Sequence, residues 1–446
     1  MDFVALKRRL IAGTGITLVG SGLTSFLGLL LMLLLVRLLS TAEFGLLMAA
    51  ISMVSLTQGV LDVRLGEAVT KFSTDFIVRG RKDQALALVL FSYAVDLGIS
   101  LFAFSILYFP AGFIACTILK KPELTPLLRI VALIPLGRFP VATSVATLRI
   151  FNYFTALTAV AVCSGALRFF FPILLCILYP GDVGRIAMGF ALATAGVAVV
   201  CIVFAVFAIR RNFAGVRPAS IRTELKTIIP FSLQTLVGVI FKNLGRGDMA
   251  VAIVTRYGRQ EEVAYLKLGL QLSGAMTIVP GVVCFTIFQS FAELWAKRER
   301  KMFLHLIRRI SGLLAALLVA AGILLLIAAP IFIRIWKVEY LKAMPVLYWF
   351  VAASILDGIC CWIRPAALAV GKPWISTVVN FVRMVLLLGV GLILVPRVGH
   401  VGIGIATMAL VVGSVPLGVF LVIRSILGKE PTHGVAKAVE ISEEIG

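Results

Sequence analysis

Charged side chains recur within or at the ends of long apolar stretches of this 446-residue chain, where charge is normally rare. A charge at the middle of a hydrocarbon layer costs about 2.5–3.5 kcal/mol on insertion scales, so it usually faces water or a bundle interior. Basic side chains in such positions can hold an anion, and carboxylates can carry a proton or a sodium ion. The candidate anion-binding residues are Arg138, Arg168, Lys242, Arg246, Lys267, Arg364 and Arg383, and the candidate coupling-ion residues are Asp62, Asp96 and Asp357.

Near the middle of the apolar stretches, cations outnumber carboxylates. The mid-span cations are Arg138 in the fourth stretch, Arg168 in the fifth, Lys242 in the seventh and Arg383 in the eleventh. Asp96 and Asp357 can neutralise two of them, for example by pairing with Arg138 and Arg383, and an anionic substrate would then supply the missing negative charge. The alternative interpretation is structural, with interhelical ion pairs and side chains that reach an interface.

The remaining basic candidates extend this lining above and below the midplane. Arg246 lies between two glycines in the seventh span, and irregular backbone at membrane depth is tolerated where it lines a cavity or is buried in protein. Lys267 is expected near the outer end of the eighth span. Arg364 follows Asp357 by seven residues, on nearly the same helical face, and continues the lining toward the cytoplasm.

The elements that position these residues are predicted to be spanning helices, in an all-α polytopic membrane protein. The chain is 61% hydrophobic and 14% charged, with a mean hydropathy of +1.07, which is too apolar for a soluble domain. The stretches are continuously apolar rather than alternating, and each can cross about 30 Å of hydrocarbon as a helix. The predicted spans are Ile11–Val36, Phe44–Val63, Ala85–Phe109, Pro126–Leu148, Ala156–Tyr179, Ile186–Ile209, Ile228–Ala252, Val263–Phe291, Ile310–Ile333, Met344–Val370, Trp374–Val395 and Val401–Ile423.

The net charge of +21 reflects orientation in a membrane, and no nucleic acid partner is expected. Basic clusters fall on one side of the predicted spans, at residues 7–9, 79–82, 210–211 and 297–301. The positive-inside rule makes that side cytoplasmic, so both termini are expected there. Membrane lipids, including anionic phosphates beside these clusters, are the expected surroundings.

The two halves of the chain align locally and predict an internal repeat. VRLLSTAEFGLLMAAISM from Val36 matches TRYGRQEEVAYLKLGLQL from Thr255, with Arg37 opposite Arg256 and an offset of 219 residues. Six helices separate the equivalent segments, so both halves share one orientation, as in a parallel repeat about an axis along the membrane normal. We therefore predict about twelve transmembrane helices in two six-helix lobes, residues 1–215 and 216–424, followed by a cytoplasmic tail at 425–446.

These aligned segments resemble a known family. VRLLSTAEFGLLMAAISMVSL resembles the start of bacterial polysaccharide and O-antigen flippases of the multidrug/oligosaccharidyl-lipid/polysaccharide exporter superfamily, and NLGRGDMAVAIVTRYGRQEEVAYLKLGLQL is similar to the stretch after their seventh span. The resemblance implies a V of two bundles that works by alternating access in the bacterial inner membrane. It also implies a substrate in which an oligosaccharide is carried on polyprenyl pyrophosphate, and the family's basic central cavity matches the mid-span cations in kind. Where the family commonly has an Asp-Arg pair, this chain has Gly245-Arg246, with Asp248 displaced.

Three other functions are candidates for a chain with these features. A peptidoglycan lipid-precursor flippase shares every feature above, whereas a cation-coupled multidrug exporter would place its cationic substrate against the positive midplane. An enzyme such as a glycan polymerase or ligase needs a large external loop with acid–base groups, and the longest outer connection is only about Ala111–Thr125. The sequence therefore predicts a transporter without a cofactor or metal. A polysaccharide polymerase or ligase is a candidate partner, and the oligomeric state is left open.

Overall fold

A computed structural model describes residues 22–62 and 65–427 of the protein, and all regular structure in those ranges is helical. The predicted all-α class is therefore confirmed. The beginning of the predicted first span, the basic cluster at residues 7–9 and the end of the predicted tail lie outside the described residues.

The first half of the chain supplies six spanning segments, several of them built from more than one helix. Their helices are α1 (Gly22–Leu38), α2 (Thr41–Leu61), α3 (Leu65–Val78), α4 (Lys82–Tyr108), α5 (Ala111–Phe113) with a π-helical turn at Ile114–Ile118, α6 (Leu124–Val131), α7 (Ile134–Arg138), α8 (Val141–Ile150), α9 (Phe154–Leu178) and α10 (Val183–Asn212). Helices α3 to α10 pack mainly against one another and form most of the first lobe, whereas α2 also packs extensively against the second half of the chain.

The second half supplies the other six segments and forms the second lobe. Its helices are α11 (Arg222–Leu244), α12 (Gly247–Tyr257), α13 (Gln260–Gly274), α14 (Ile278–Ala296), α15 (Arg300–Trp336), α16 (Met344–Ile359), α17 (Ile363–Ala369), α18 (Trp374–Val398) and α19 (Val401–Leu427), with 3-10 turns at Ala275–Thr277 and Val338–Ala343. Ten segments of the described chain are long and apolar enough to cross a membrane. The remaining two are α1 and the broken pair α11 and α12, so about twelve spans are present as predicted.

The second span is longer than predicted. The expected helix Phe44–Val63 is only its first part, because the span runs from Thr41 to Val78 through α2 and α3. Polar residues on α3, among them Lys71 and Asp75, hid this continuation from a reading based on hydropathy. As a consequence Asp62, the C-cap of α2, lies near the middle of the span and not at its end.

Several spans are broken at membrane depth. In the seventh, α11 ends at Leu244, Gly245 caps it, and Arg246 is extended (φ −114°, ψ 174°) before α12 begins at Gly247. A Cβ at Gly245 would lie 3.2 Å from the Met384 nitrogen, so glycine permits close packing on α18. The predicted irregular stretch is therefore present, and at Gly245 its backbone packs against α18, the kind of protein contact that a break at membrane depth requires.

The repeat is visible in the helix boundaries. The second span begins at Thr41 and the eighth at Gln260, which reproduces the 219-residue offset of the sequence alignment. The two lobes meet mainly where α2 packs against α11, α12 and α13, with a smaller contact between α3 and α11. We call the side of the bundle with residues 79–82, 213–221 and 297–299 the basic face, and the side with residues 39–40, 109–123, 258–259 and 337–343 the opposite face.

Candidate functional site

Two arginines of the first lobe, Arg138 and Arg168, lie near the middle of their spans. Arg138 ends the five-residue helix α7, which has Pro135 in its first turn and is followed by Pro140, and Arg168 lies near the middle of α9. Among the residues that the structure describes, neither forms an ion pair, and the two guanidinium groups lie within electrostatic range of each other. Both side chains are exposed although they lie among several helices, and we interpret their surroundings as a cleft.

Arg138 points at the boundary between the lobes. Its Nη1 donates a hydrogen bond to Oε1 of Gln58 on α2, at 2.5 Å. The preceding residue, Gly137, packs against the backbone of Thr194 and Ala195 on α10, where a Cβ would lie 2.8 Å from backbone atoms. Glycine therefore holds α7 against α10 while the next side chain turns toward α2. Asp62, at the end of α2, is also within electrostatic range of Arg138.

The broken seventh span reaches the same region from the second lobe. Nδ2 of Asn243 donates to the carbonyl of Gly59 on α2 at 2.6 Å, and the rings of Phe241 and Phe381 stack edge to face, 5.2 Å apart. This segment carries Lys242, which is half-buried, and Arg246, which is exposed. The ends of α2 and α11 and the middle of α18 therefore meet at one level. We call this meeting point, with Arg138, Lys242 and Arg246, the junction.

Two of the predicted site cations are already neutralised. Arg383 on α18 forms an ion pair with Asp357 on α16, as expected, and its Nε also donates to Oγ of Ser414 at 3.0 Å. Lys267 on α13 pairs with Asp248 at 2.9 Å, in the half of the membrane toward the opposite face. Neither side chain is free to hold an anion in this conformation. Both therefore differ from the prediction that they bind an anion as unpaired cations.

Arg364 lies on α17, in the basic-face half of the second lobe. Its side chain is exposed and forms no ion pair with the described residues. The structure places it away from the junction of α2 and α11. It can meet an anion that approaches from the basic face, but it does not contact the first-lobe arginines.

The acidic candidates have three different environments. Asp357 is occupied by Arg383, and Asp62 is exposed at the break after α2. Asp96 on α4 is half-buried and accepts a hydrogen bond from Thr143 Oγ1 on α8 at 2.6 Å. The expected pairing of Asp96 with Arg138 is wrong, because α8 presents a hydroxyl to this carboxylate and Arg138 turns to α2.

Two functional contacts escaped sequence reasoning because they involve neutral amides. Gln58 holds Arg138, and Asn243 joins the lobes, yet neither carries a charge that marks it within an apolar stretch. The signal that existed was a polar amide within an apolar helix. Placing Gln58 near the end of a short second span concealed its mid-membrane depth.

The cleft is closed at the opposite face. There the lobes are joined by hydrogen bonds from Trp336 to the Leu33 carbonyl (2.8 Å) and from Lys337 to the Leu39 carbonyl (2.6 Å). At the basic face the described cross-lobe contacts include the ion pair of Arg81 with Glu224 at the start of α11, at 3.1 Å, and a hydrogen bond from the Ala219 N–H to the Asp83 carbonyl just before it. Because the opposite face is closed, we infer that the exposed arginines of the junction are reached from the basic face.

Comparison with known proteins places the molecule in a family. Residues 10–289 match the family model described as "Polysaccharide biosynthesis protein". The chain belongs to this family. The resemblance drawn from the sequence is thereby confirmed, although no curated protein sequence matches the chain.

Solved structures share the fold of this family member at low sequence identity. An inward-facing multidrug resistance MATE family transporter of the MOP superfamily superposes with a TM-score of 0.72 and 14% identity, over 91% of this chain and 96% of that one. Lipid II flippase MurJ in an inward closed conformation gives 0.69 and 14%, over 92% and 88%. A MOP superfamily transporter from Pyrococcus furiosus, described as having a binding pocket of reverse polarity, gives 0.63 and 14%, over 94% and 96%. The chain therefore has the two-lobe MATE and MurJ fold.

Proposed function

We propose that this protein is a flippase that carries an oligosaccharide linked to polyprenyl pyrophosphate across the bacterial inner membrane by alternating access. The observation that carries the proposal is the pair Arg138 and Arg168, two mid-span cations that form no ion pair with any of the described residues. Guanidinium groups form paired, charge-assisted hydrogen bonds with phosphate oxygens. A pyrophosphate in the cleft would supply the negative charge that the first lobe lacks.

Family membership and the described conformation support the same reading. The family model concerns polysaccharide biosynthesis, and the lipid-linked substrate of MurJ shows that this fold can serve a flippase. The basic face would be cytoplasmic, with both chain ends on that side. In this conformation the cleft would receive the head group from the cytoplasm, the glycan would occupy the wet cleft, and the polyprenyl chain would remain in lipid.

The membrane potential favours this direction of transport. Moving one negative charge outward is worth about 2.3 kcal/mol per 100 mV, so a doubly charged head group gains about 4–5 kcal/mol. We further propose that Asp96 is a proton site that couples to transport, because its carboxylate has a hydroxyl donor but no cation at ion-pair distance in the described structure. Asp62 would share this role, whereas Asp357 would serve mainly to hold Arg383.

Two other substrates remain to be separated by experiment. A peptidoglycan lipid precursor offers the same pyrophosphate, so it is distinguished only by its sugar. A cationic drug would face Arg138 and Arg168, and the reversed pocket polarity described for the Pyrococcus furiosus transporter is a precedent in this fold for a different preference. We expect the positive junction to exclude such cations.

The test is flipping in proteoliposomes that carry a fluorescent polyprenyl-pyrophosphate oligosaccharide. Arg138→Ala and Arg168→Ala should each lower the initial rate at least tenfold, whereas Arg308→Ala, an exposed arginine of the basic face, should not change it. Lipid II and a cationic dye are run in parallel. Unchanged flipping by both cleft variants would overturn the proposed mechanism, and a preference for lipid II or for the dye would replace the proposed substrate.

A further inference from the structure

The opposite face is closed by contacts that repeat at the offset of the internal duplication. Arg37 of the first lobe lies over the ring of Trp336 in the second, 5.2 Å from its centroid. Its equivalent, Arg256 of the second lobe, donates to the carbonyl of Thr117 in the first, at 3.3 Å. Thr117 and Trp336 are themselves separated by the same 219 residues, so the two contacts are symmetry equivalents.

A second pair of contacts follows the same relationship. Thr41, the first residue of α2, donates its hydroxyl to Glu339 of the second lobe. Gln260, the first residue of α13 and the equivalent of Thr41, donates its side-chain amide to Glu123 of the first lobe. The separation of Glu123 and Glu339 in the sequence is three residues shorter than the 219-residue offset, which is about one helical turn. Each lobe therefore accepts one equivalent cross-lobe hydrogen bond.

Tight packing lies directly beneath these bonds. The buried ring of Tyr340 meets Phe44 of the first lobe at 6.4 Å and Tyr265 at 5.7 Å. On the other side of the axis, Gly45 lies so close to α13 that a Cβ would be 1.9 Å from the carbonyl oxygen of Gln260. The lobes cannot separate at this face without breaking both polar contacts and the packing below them.

We propose that these contacts form a two-part latch, in which Glu123 and Glu339 are the acceptors that hold the opposite face shut. Hydrogen bonds to charged groups are stronger than neutral ones, and both carboxylates are exposed at the edge of the interface, where they are released without leaving a buried charge. The two hydrogen bonds of the latch are equivalent and their acceptors lie on different lobes. Each therefore stabilises the closed state independently of the other. The latch explains how the opposite face stays closed during the proposed alternating access, and it rests on that proposal.

The test measures opening at a buried position in the absence of substrate. Ala49 on α2 is 2% exposed and lines the crevice between the lobes below the latch, together with Thr255 and Val263. In a variant without the native cysteines, Ala49→Cys is labelled with a membrane-impermeant maleimide in lipid nanodiscs. We expect Glu123→Ala and Glu339→Ala each to label about tenfold faster than the parent, and the double variant about a hundredfold faster.

Matched substitutions separate the latch from general damage. Glu123→Gln and Glu339→Gln keep an acceptor oxygen and should stay within about threefold of the parent, and Glu293→Ala, a carboxylate near the basic face, should not change the rate. Parental labelling rates in both alanine variants would overturn the latch, as would equal rates in a single and the double variant. Because no substrate is present, a failed latch leaves the flipping result standing, and a failed flipping assay leaves the latch result standing.

Discussion

The ion pair between Arg383 and Asp357 predicts an unusual pattern of stability. Arg383→Ala leaves a carboxylate at mid-membrane, where an unpaired Asp costs about 2.5–3.5 kcal/mol on insertion scales. The Asp357 side chain is 45% exposed, so water screens roughly half of that cost and we expect a loss of about 1–2 kcal/mol. Asp357→Ala strands Arg383 in the same way, although Ser414 still accepts its Nε hydrogen bond.

Removing both partners removes both stranded charges. The double variant is therefore expected within about 1 kcal/mol of the parent, since removing both members of an ion pair leaves no unpaired charge. Denaturation by SDS in bicelles is monitored by tryptophan fluorescence. It gives the free energies of unfolding of the parent, the two single variants and the double variant, which complete the double-mutant cycle. Additive losses, with the double variant as unstable as the two single losses together, would refute the assigned pairing.

Two further predictions concern the junction and the coupling site. Asp96→Asn mimics the protonated carboxylate and keeps an acceptor for Thr143, so flipping should continue but should no longer respond to an imposed pH gradient; an unchanged response would remove Asp96 from coupling. Gly45→Val inserts side-chain atoms where even a Cβ comes within 1.9 Å of the Gln260 carbonyl, so the opposite face should fail to close, and labelling of Ala49→Cys should rise at least tenfold.

The sequence was sufficient for the architecture because hydropathy and duplication act over long stretches. The number of spans, the 219-residue repeat and the break at Gly245–Gly247 all follow from residue type and spacing. The pair Asp357–Arg383 was also foreseen, since both charges lie at mid-span and α16 and α18 carry them to the same depth.

Side-chain partners were harder to foresee because they depend on which helices touch. Asp96 and Arg138 share a depth, but Thr143 on α8 reaches the carboxylate while Arg138 turns to Gln58. The predicted second span ends too early, at Val63, because α3 is amphipathic rather than uniformly apolar. Hydropathy alone therefore missed the mid-membrane position of Gln58, the residue that holds a principal cation of the cleft.

The most direct measurement of the central claim is binding of a short-chain polyprenyl pyrophosphate to the purified protein by calorimetry. A charge-assisted hydrogen bond contributes about 1.5–3 kcal/mol, so Arg138→Ala and Arg168→Ala should each weaken binding about 10- to 100-fold. The matched monophosphate should bind less tightly, and Arg308→Ala should bind as the parent does. Parental affinity in the double variant Arg138→Ala, Arg168→Ala would contradict the claim that these two arginines hold the pyrophosphate.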